Sequence, residues 1–195
     1  MRMRAVDFAR LAQAAYTDAP TVGSADSAHR MHVYEVHGEV VHVFRGTDNF
    51  ASTLADIDII PVAVPGLGML HAGFYGALAD ILDRCLALPV PTAIAGHSLG
   101  AAMAQIYAGV LALRGHQIAC YAFEPPRVAL DDVLQGVLAR LGGPQFATRD
   151  GMDAVTDVPE AFRQAWPLLQ IGIESSPFPN IVDHEIGRVI AALPQ

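Results

Sequence analysis

The sequence predicts an α/β fold in which a mostly parallel central sheet is covered by helices on both faces. Short apolar segments typical of buried strands alternate along the chain with segments of helical periodicity. The 195 residues contain no internal repeat, low-complexity tract or linker, so residues 1–195 are expected to form one domain. In such a sheet, functional residues gather at the carboxyl ends of the strands.

The predicted elements begin with a helix over residues 6–16, followed by two strands, 31–37 and 39–45, that form a hairpin at Gly38. Further along the chain, helical patterns alternate with apolar strands. The predicted helices are 73–88, 101–113, 130–141 and 183–193, and the predicted strands are 91–95, 118–123 and 145–149. Pro89 and the Gly142-Gly143-Pro144 stretch are stop signals for the helices before them.

Composition excludes several classes of function. The formal net charge is −8 and the isoelectric point is near 5.3, so no basic surface is expected to bind nucleic acid. Hydrophobic residues make up 52% of the chain, yet no apolar run reaches the roughly 18 residues of a membrane span. Asp7 and Arg10 interrupt the apolar pattern after the basic N-terminus, which argues against a signal peptide. A cytoplasmic location is therefore expected by default, with release by lysis or another export route left open.

The two cysteines, Cys85 and Cys120, fall in a predicted helix and a predicted strand. We expect both to be small buried residues rather than partners in a disulfide.

The stretch Gly96-His97-Ser98-Leu99-Gly100 lies between a predicted strand and a predicted helix. A G-x-S-x-G pattern in this context is typical of a nucleophile elbow. Glycines at both ends keep Cβ atoms away from a sharp, strained turn, and the serine hydroxyl then projects at the carboxyl end of the sheet. The helix N-terminus behind it favours negative charge. Ser98 is therefore the predicted nucleophile, and His97 is expected to line the site.

Four motifs in order carry a resemblance to a known family. They are Val43-Phe44-Arg45-Gly46-Thr47, His71-Ala72-Gly73-Phe74, the elbow at 96–100, and Pro126-Arg127-Val128. The chain from Val41 to about Pro159 resembles the class 3 lipases, α/β-hydrolases that include the triacylglycerol lipases of filamentous fungi. Two departures stand out, because Glu124 and Ala129 occupy places near the Pro-Arg-Val turn where family members usually have glycine.

The general base is expected late in the chain, because α/β-hydrolases carry serine, acid and histidine in that order. Only His116 and His184 follow Ser98, and His116 falls in a loop before a strand. His184 lies in Asp183-His184-Glu185-Ile186, which resembles the D-H-x-I helix start of small family members. His184 is therefore the predicted base.

Three carboxylates are candidates for the acid that orients this base. Asp153 follows a predicted strand and begins a segment that resembles the family's D-x-V-P-x-x-P, so the resemblance favours it. Asp157 fits a turn or an N-cap before Pro159. Glu124 follows the preceding strand, where some hydrolases of this fold carry their acid, and it remains open as an alternative.

The oxyanion donors are expected from two places. The backbone N–H of Leu99 follows the nucleophile, and the resemblance implies that Thr47 supplies a second N–H together with its hydroxyl. The resemblance also implies that Asp48–Ile60 covers the site. Phe50, Leu54 and Ile57 recur there at helical spacing and form a narrow apolar stripe, and Thr53 stands where the family often has tryptophan.

Together these observations predict a serine carboxylic-ester hydrolase that acts through an acyl-enzyme and prefers short to medium acyl chains. The expected substrate is a small-molecule or lipid ester, and no metal or other cofactor is predicted. Transient contact with a lipid interface and the oligomeric state are left open. The alternatives are a phospholipase A1 or acyltransferase with the same site, and a catalytically dead lipid-binding or interaction module.

Overall fold

The structure is a computed structural model that describes residues 3–24, 26–27, 29–47 and 59–195. Helix α1 (Ala5–Ala14) comes first, followed by the antiparallel strands β1 (Met31–Val36) and β2 (Glu39–Phe44). His37 and Gly38 form the two-residue turn between these strands, and both have a positive φ, as a type I′ turn requires. The predicted first helix and hairpin are therefore present.

The other elements follow in chain order. They are β3 (Pro61–Val64), β4 (Gly68–His71), α2 (Ala72–Leu86), β5 (Ala93–His97), α3 (Leu99–Leu113), β6 (Ala119–Phe123), α4 (Val133–Leu141), β7 (Gln145–Asp150), β8 (Leu169–Ile171) and α5 (Ile186–Ala192). Short 3₁₀ turns cover Val155–Asp157 and Val182–His184.

Within the described residues, the main sheet has six strands in the order β1-β2-β5-β6-β7-β8. All neighbouring pairs are parallel except β1 with β2, so β1 is an antiparallel edge strand. The predicted mostly parallel sheet is confirmed. Parallel strands with crossover helices place all the strand-to-helix turns at one edge of the sheet, and the elbow at Ser98 lies at this edge.

Alternation along the strands places apolar side chains on both faces of the sheet. Val41 and Val43 of β2 pack with α1 and α5 on one face. Phe44 of β2 and Ile94 of β5 pack on the opposite face, against α2, α3 and α4. Helix α3 is buried along nearly its whole length, from Leu99 to Ala112, because it lies between the sheet and the other helices of its face.

Several element predictions differ from the structure. Residues 61–64 and 68–71 form a separate two-stranded sheet, and β8 is a further strand; neither was predicted. Helix α4 begins at Val133 rather than 130, because the Asp131 carboxylate accepts a hydrogen bond from the Val133 N–H and holds the preceding residues in a turn. The C-terminal helix begins at Ile186, because Glu185 has extended backbone angles that separate it from the 3₁₀ turn carrying His184.

Both cysteines are buried and free, in agreement with their predicted role as core residues. Among the helices of the described residues, none is both long enough and apolar enough to cross a membrane.

Candidate active site

Ser98 occupies a strained turn between β5 and α3. Its backbone angles are φ 60° and ψ −129°, in a region that non-glycine residues adopt at a cost of about 1–3 kcal/mol. The Ser98 N–H donates to the Phe123 carbonyl at 3.0 Å, which ties the turn to the neighbouring strand β6. Its Oγ is buried and has no hydrogen-bond partner among the described residues. The turn therefore holds a hydroxyl that the surrounding protein leaves available for chemistry.

Close backbone approach explains the two glycines of the elbow. A Cβ on Gly96 would collide with the backbone of Gly100, and a Cβ on Gly100 would collide with the carbonyl oxygen of Phe44 at the end of β2. These contacts press the N-terminus of α3 against the segment that leads to Thr47. They also bring the N–H of Leu99 to the same edge of the sheet as Thr47. Leu99 lies in the first turn of α3, so its N–H has no acceptor within the helix.

Asp153 and His184 are brought together from two distant parts of the chain. Asp153 lies just after β7, and its Oδ2 is 3.0 Å from Nδ1 of His184 in the 3₁₀ turn. The other carboxylate oxygen accepts a hydrogen bond from the Val155 N–H at 2.9 Å. Burial pushes the pKa of Asp153 upward, but hydrogen bonds from His184 and Glu124 outweigh burial and hold it below its usual value. An ionised Asp153 keeps the Nδ1–H tautomer of His184, which turns Nε2 into the basic nitrogen.

His97 contacts the same histidine from the residue before Ser98. Its Nε2 lies 2.8 Å from the His184 carbonyl oxygen, so this nitrogen carries the proton and donates. Its Nδ1 then accepts from the Tyr16 hydroxyl at 2.8 Å. Burial, followed by the charge of His184, lowers the pKa of His97 to about 3. His97 is thus a neutral ring that connects Tyr16, just after α1, to the His184 turn, and it also lines the cleft.

Asp183 fixes the turn that carries His184, a role that the sequence analysis missed. Its buried carboxylate accepts from the N–H of Met152 at 2.8 Å and from the N–H of Ser175 at 3.1 Å. Arg188 forms an ion pair with it at 3.1 Å. Burial acts against the charge, but hydrogen bonds, those with Ser175 and Met152 first among them, lower the pKa of Asp183 to about 2. The only sequence signal was its position directly before the histidine.

A cleft of about 570 Å³ opens beside these residues. Thr47 and His184 lie in its wall, so the predicted oxyanion residue and the predicted base face one space. The other lining residues are Gln13, Tyr16, His97, Ile181, Val182, Glu185, Ile186 and Gly187. The predicted cover residues Phe50, Leu54 and Ile57 lie outside the described residues.

Glu124 is buried at the end of β6, next to the Asp153–His184 pair. Glu124, Asp153 and His184 each present one atom within 4.8 Å of the others, a spacing that metal ligands also use. Nδ1 of His184 and Oδ2 of Asp153 are already engaged with each other, however. A proton shared between the carboxyls of Glu124 and Asp153 would give their remaining oxygens a hydrogen bond. We therefore interpret the cluster as hydrogen-bonded rather than metal-binding. Asp157, the third candidate acid, pairs instead with Arg149 and Arg127.

Comparisons with known proteins identify the family of this chain. A family model described as Lipase (class 3) matches residues 41–162. A lipase of Rhizomucor miehei is 30% identical over 148 residues, which are 68% of this chain and 40% of that protein. The chain thus spans well under half the length of this curated relative.

Solved structures share the fold at lower identity. The lipase of Rhizopus microsporus var. chinensis superposes with a TM-score of 0.74 at 20% identity, over 92% of this chain and 84% of that one. The native propeptide complex of Rhizomucor miehei lipase gives 0.70 at 20% identity, over 94% and 79%. A triacylglycerol lipase of Penicillium expansum gives 0.64 at 17% identity, over 90% and 83%. These likenesses establish an α/β-hydrolase architecture for the described residues.

Proposed function

Because the chain belongs to the class 3 lipase family, we propose that it is a serine carboxylic-ester hydrolase with Ser98, His184 and Asp153 as its catalytic triad. The observation that carries the proposal is that His97, the residue before the strained and buried Ser98, contacts His184, which a buried carboxylate holds at 3.0 Å. A serine hydroxyl is a weak nucleophile, and it needs such a base, itself oriented by a third group.

In the proposed reaction, Ser98 Oγ attacks the ester carbonyl carbon while His184 Nε2 takes the hydroxyl proton. Asp153 stabilises the imidazolium that forms. The tetrahedral intermediate collapses, the ester C–O bond breaks, and His184 returns the proton to the departing alcohol. Water then attacks the acyl-enzyme while His184 again acts as the base. This step releases the carboxylic acid and restores Ser98.

Charge on the carbonyl oxygen would be stabilised by backbone N–H groups of Leu99 and Thr47, with the Thr47 hydroxyl as a further donor. Leu99 begins α3, so the positive end of the helix dipole points towards this oxygen. Donors fixed before the reaction need no reorganisation as charge develops, which is why such groups have large effects on rate.

The cleft supports short to medium acyl chains as substrates. Its volume of about 570 Å³ lies in the range that holds a drug-sized molecule. Ile181 and Val182 supply an apolar wall, and both are partly exposed at 39% and 50%. These side chains would contact the alkyl part of an ester, and contact with a lipid interface would use the same edge.

The test combines active-site labelling with a substrate series. A fluorophosphonate probe should label the wild-type protein and the Ser24→Ala control, in which an exposed serine is changed, but not Ser98→Ala. Hydrolysis of p-nitrophenyl esters from acetate to palmitate should peak at short or medium chains. Labelling of Ser98→Ala at the wild-type rate would remove Ser98 as nucleophile. A folded protein with no labelling would favour a binding module.

A further inference from the structure

Glu124 is a fully buried carboxyl in an unfavourable backbone conformation. Its side chain has no solvent exposure, and its φ of 55° lies in the left-handed region. Glutamate rarely adopts that region, and the resembling family usually has glycine at this place. Both its burial and its backbone angle cost free energy, so the side chain must make interactions that compensate.

The two oxygens of Glu124 have different surroundings. Oε1 accepts from the Asp150 N–H at 2.9 Å and from the Thr148 hydroxyl at 3.4 Å. Oε2 is buried and has no hydrogen-bond donor among the described residues. A further acceptor lies close to Glu124, because one oxygen of its carboxyl is within 4.8 Å of an oxygen of Asp153. Two carboxyls at this spacing can share a hydrogen bond only if one of them carries a proton.

Electrostatics decide which carboxyl holds the proton. Asp153 is engaged by the N–H groups of His184 and Val155, which favour its ionised form. In the part of the chain that the structure describes, Glu124 has donors only on Oε1. Its charged neighbours from β7 and the following turn, Asp150 and Asp153, are both acidic. Burial, followed by the hydrogen bond and charge of Asp153, raises the pKa of Glu124 well above its usual value. Arg188 offers no relief, because it is already paired with Asp150 at 2.9 Å.

We propose that Glu124 is a carboxylic acid that donates its proton to Asp153, so that the two carboxyls share one negative charge and Asp153 is held in place as the acceptor for His184. The inference rests on the proposed function, in which Asp153 orients the base. Glu124 is then a positioning residue. It acts on the reaction through Asp153, and the two acid positions of this fold are both occupied, one neutral and one charged.

Two variants distinguish the effect of the Glu124 proton from the effect of the whole side chain. Glu124→Gln keeps the shape and a hydrogen-bond donor without an ionisable group. Glu124→Gly removes the carboxyl and suits the positive φ. Glu160→Gln, at an exposed position, is the matched control. We expect kcat of Glu124→Gln to stay within about twofold of wild type, and that of Glu124→Gly to fall about tenfold with KM unchanged, as expected for losing a hydrogen bond to a charged group.

The pH–rate profile is the readout that a merely structural role would not move. Glu124→Gln should keep the midpoint at which kcat/KM rises, because a neutral group replaces a neutral group. Glu124→Gly should move the midpoint upward, because Asp153 without its donor attracts the imidazolium more strongly. If Glu124 were ionised, Glu124→Gln would instead move the midpoint downward by about one unit, since a charge within 4–6 Å has effects of that size, and the proposal would be overturned.

Measurements of thermal stability test whether Glu124 carries a proton, independently of enzyme activity. The unfolded chain loses the Glu124 proton near pH 4.3, about the ordinary value for glutamate, whereas the folded protein keeps it to higher pH. The stability of the wild type therefore falls as pH rises through that interval, and Glu124→Gln lacks this loss. The melting temperature of Glu124→Gln relative to wild type should increase from pH 4 to pH 8, while Glu160→Gln shows no trend. A difference in melting temperature that does not change with pH would overturn the proposal of a shared proton. An enzyme that is inactive in every form, with the rising difference intact, would overturn the proposed function instead.

Discussion

Nε2 of His97 donates to the carbonyl oxygen of His184 at 2.8 Å, and the two rings lie 4.7 Å apart. The residue before the elbow serine therefore holds the backbone of the turn that carries the proposed base. Tyr16 completes the chain of contacts, because its hydroxyl occupies the other nitrogen of His97. The position of His184 relative to Ser98 thus depends on Tyr16, just after α1 and near the opposite end of the sequence.

Tyr16→Phe removes the hydroxyl that fixes the ring of His97 and keeps the aromatic ring that stacks with Arg45. Losing one neutral hydrogen bond of about 1 kcal/mol should lower kcat roughly fivefold, because the His184 turn becomes less well fixed. Steady-state kinetics with a soluble ester would measure this effect. Tyr75→Phe, on α2, is the control variant. Equal kinetics for wild type and Tyr16→Phe would mean that the His184 turn is held without His97.

Asp153→Asn should lower kcat by about 10³–10⁴, because an amide in place of the carboxylate favours the wrong tautomer of His184. Asp157→Asn, four residues along, should leave kcat nearly unchanged, since Asp157 pairs with arginines away from the cleft. Rate measurements on the two variants at the same pH provide the comparison. A greater loss of kcat from Glu124→Gln than from Asp153→Asn would assign the role of the acid to Glu124, at the end of the preceding strand.

Thr47→Val replaces the hydroxyl with a methyl group of nearly the same shape and keeps the backbone N–H. Its expected cost is up to about 10² in kcat, because an oxyanion donor acts mainly on the charged transition state. KM should change little for the same reason. Separate determination of kcat and KM distinguishes this role from ground-state binding, which would appear as a raised KM with kcat preserved.

The parts predicted from the sequence are those that depend on local pattern. The strand, the serine between two glycines and the following helix are contiguous, so the elbow at Ser98 could be placed without a structure. Asp153 and His184 are separated by 31 positions, and a resemblance to known motifs was needed to associate them. The structure brings these two side chains together as the resemblance implied.

The parts that were missed depend on distant contacts. The short strands β3 and β8 have three or four residues each, too few for a periodicity to be recognised. Asp183 receives its donors from loops eight and 31 residues away in the chain, and no spacing rule connects them. Glu124 was considered only as a competing acid, since its closeness to Asp153 follows from the pairing of β6 with β7.

Asp183→Asn should reveal how far the His184 turn depends on this buried charge. Asparagine has one oxygen and an NH₂ group. The oxygen can replace Oδ2, which accepts from the N–H groups of both Met152 and Ser175, but the NH₂ group cannot accept from Arg188, which then loses one of its two ion pairs. The expected loss of stability at pH 7 is about 1–3 kcal/mol, the size of a hydrogen bond between charged groups. Urea unfolding of Asp183→Asn beside the exposed-site control Glu174→Gln would measure it.

The pH dependence of that loss follows from the lowered pKa. Asp183 titrates at about 2 in the folded protein and at about 3.9 when unfolded, so its contribution to stability is complete above the unfolded value and disappears as pH falls through the folded value. The stability difference between wild type and Asp183→Asn should therefore be constant from pH 7 to about 5 and shrink below pH 4. A difference that stays the same down to pH 3 would mean that the shape of the Asp183 side chain, and not its charge, holds the turn in place.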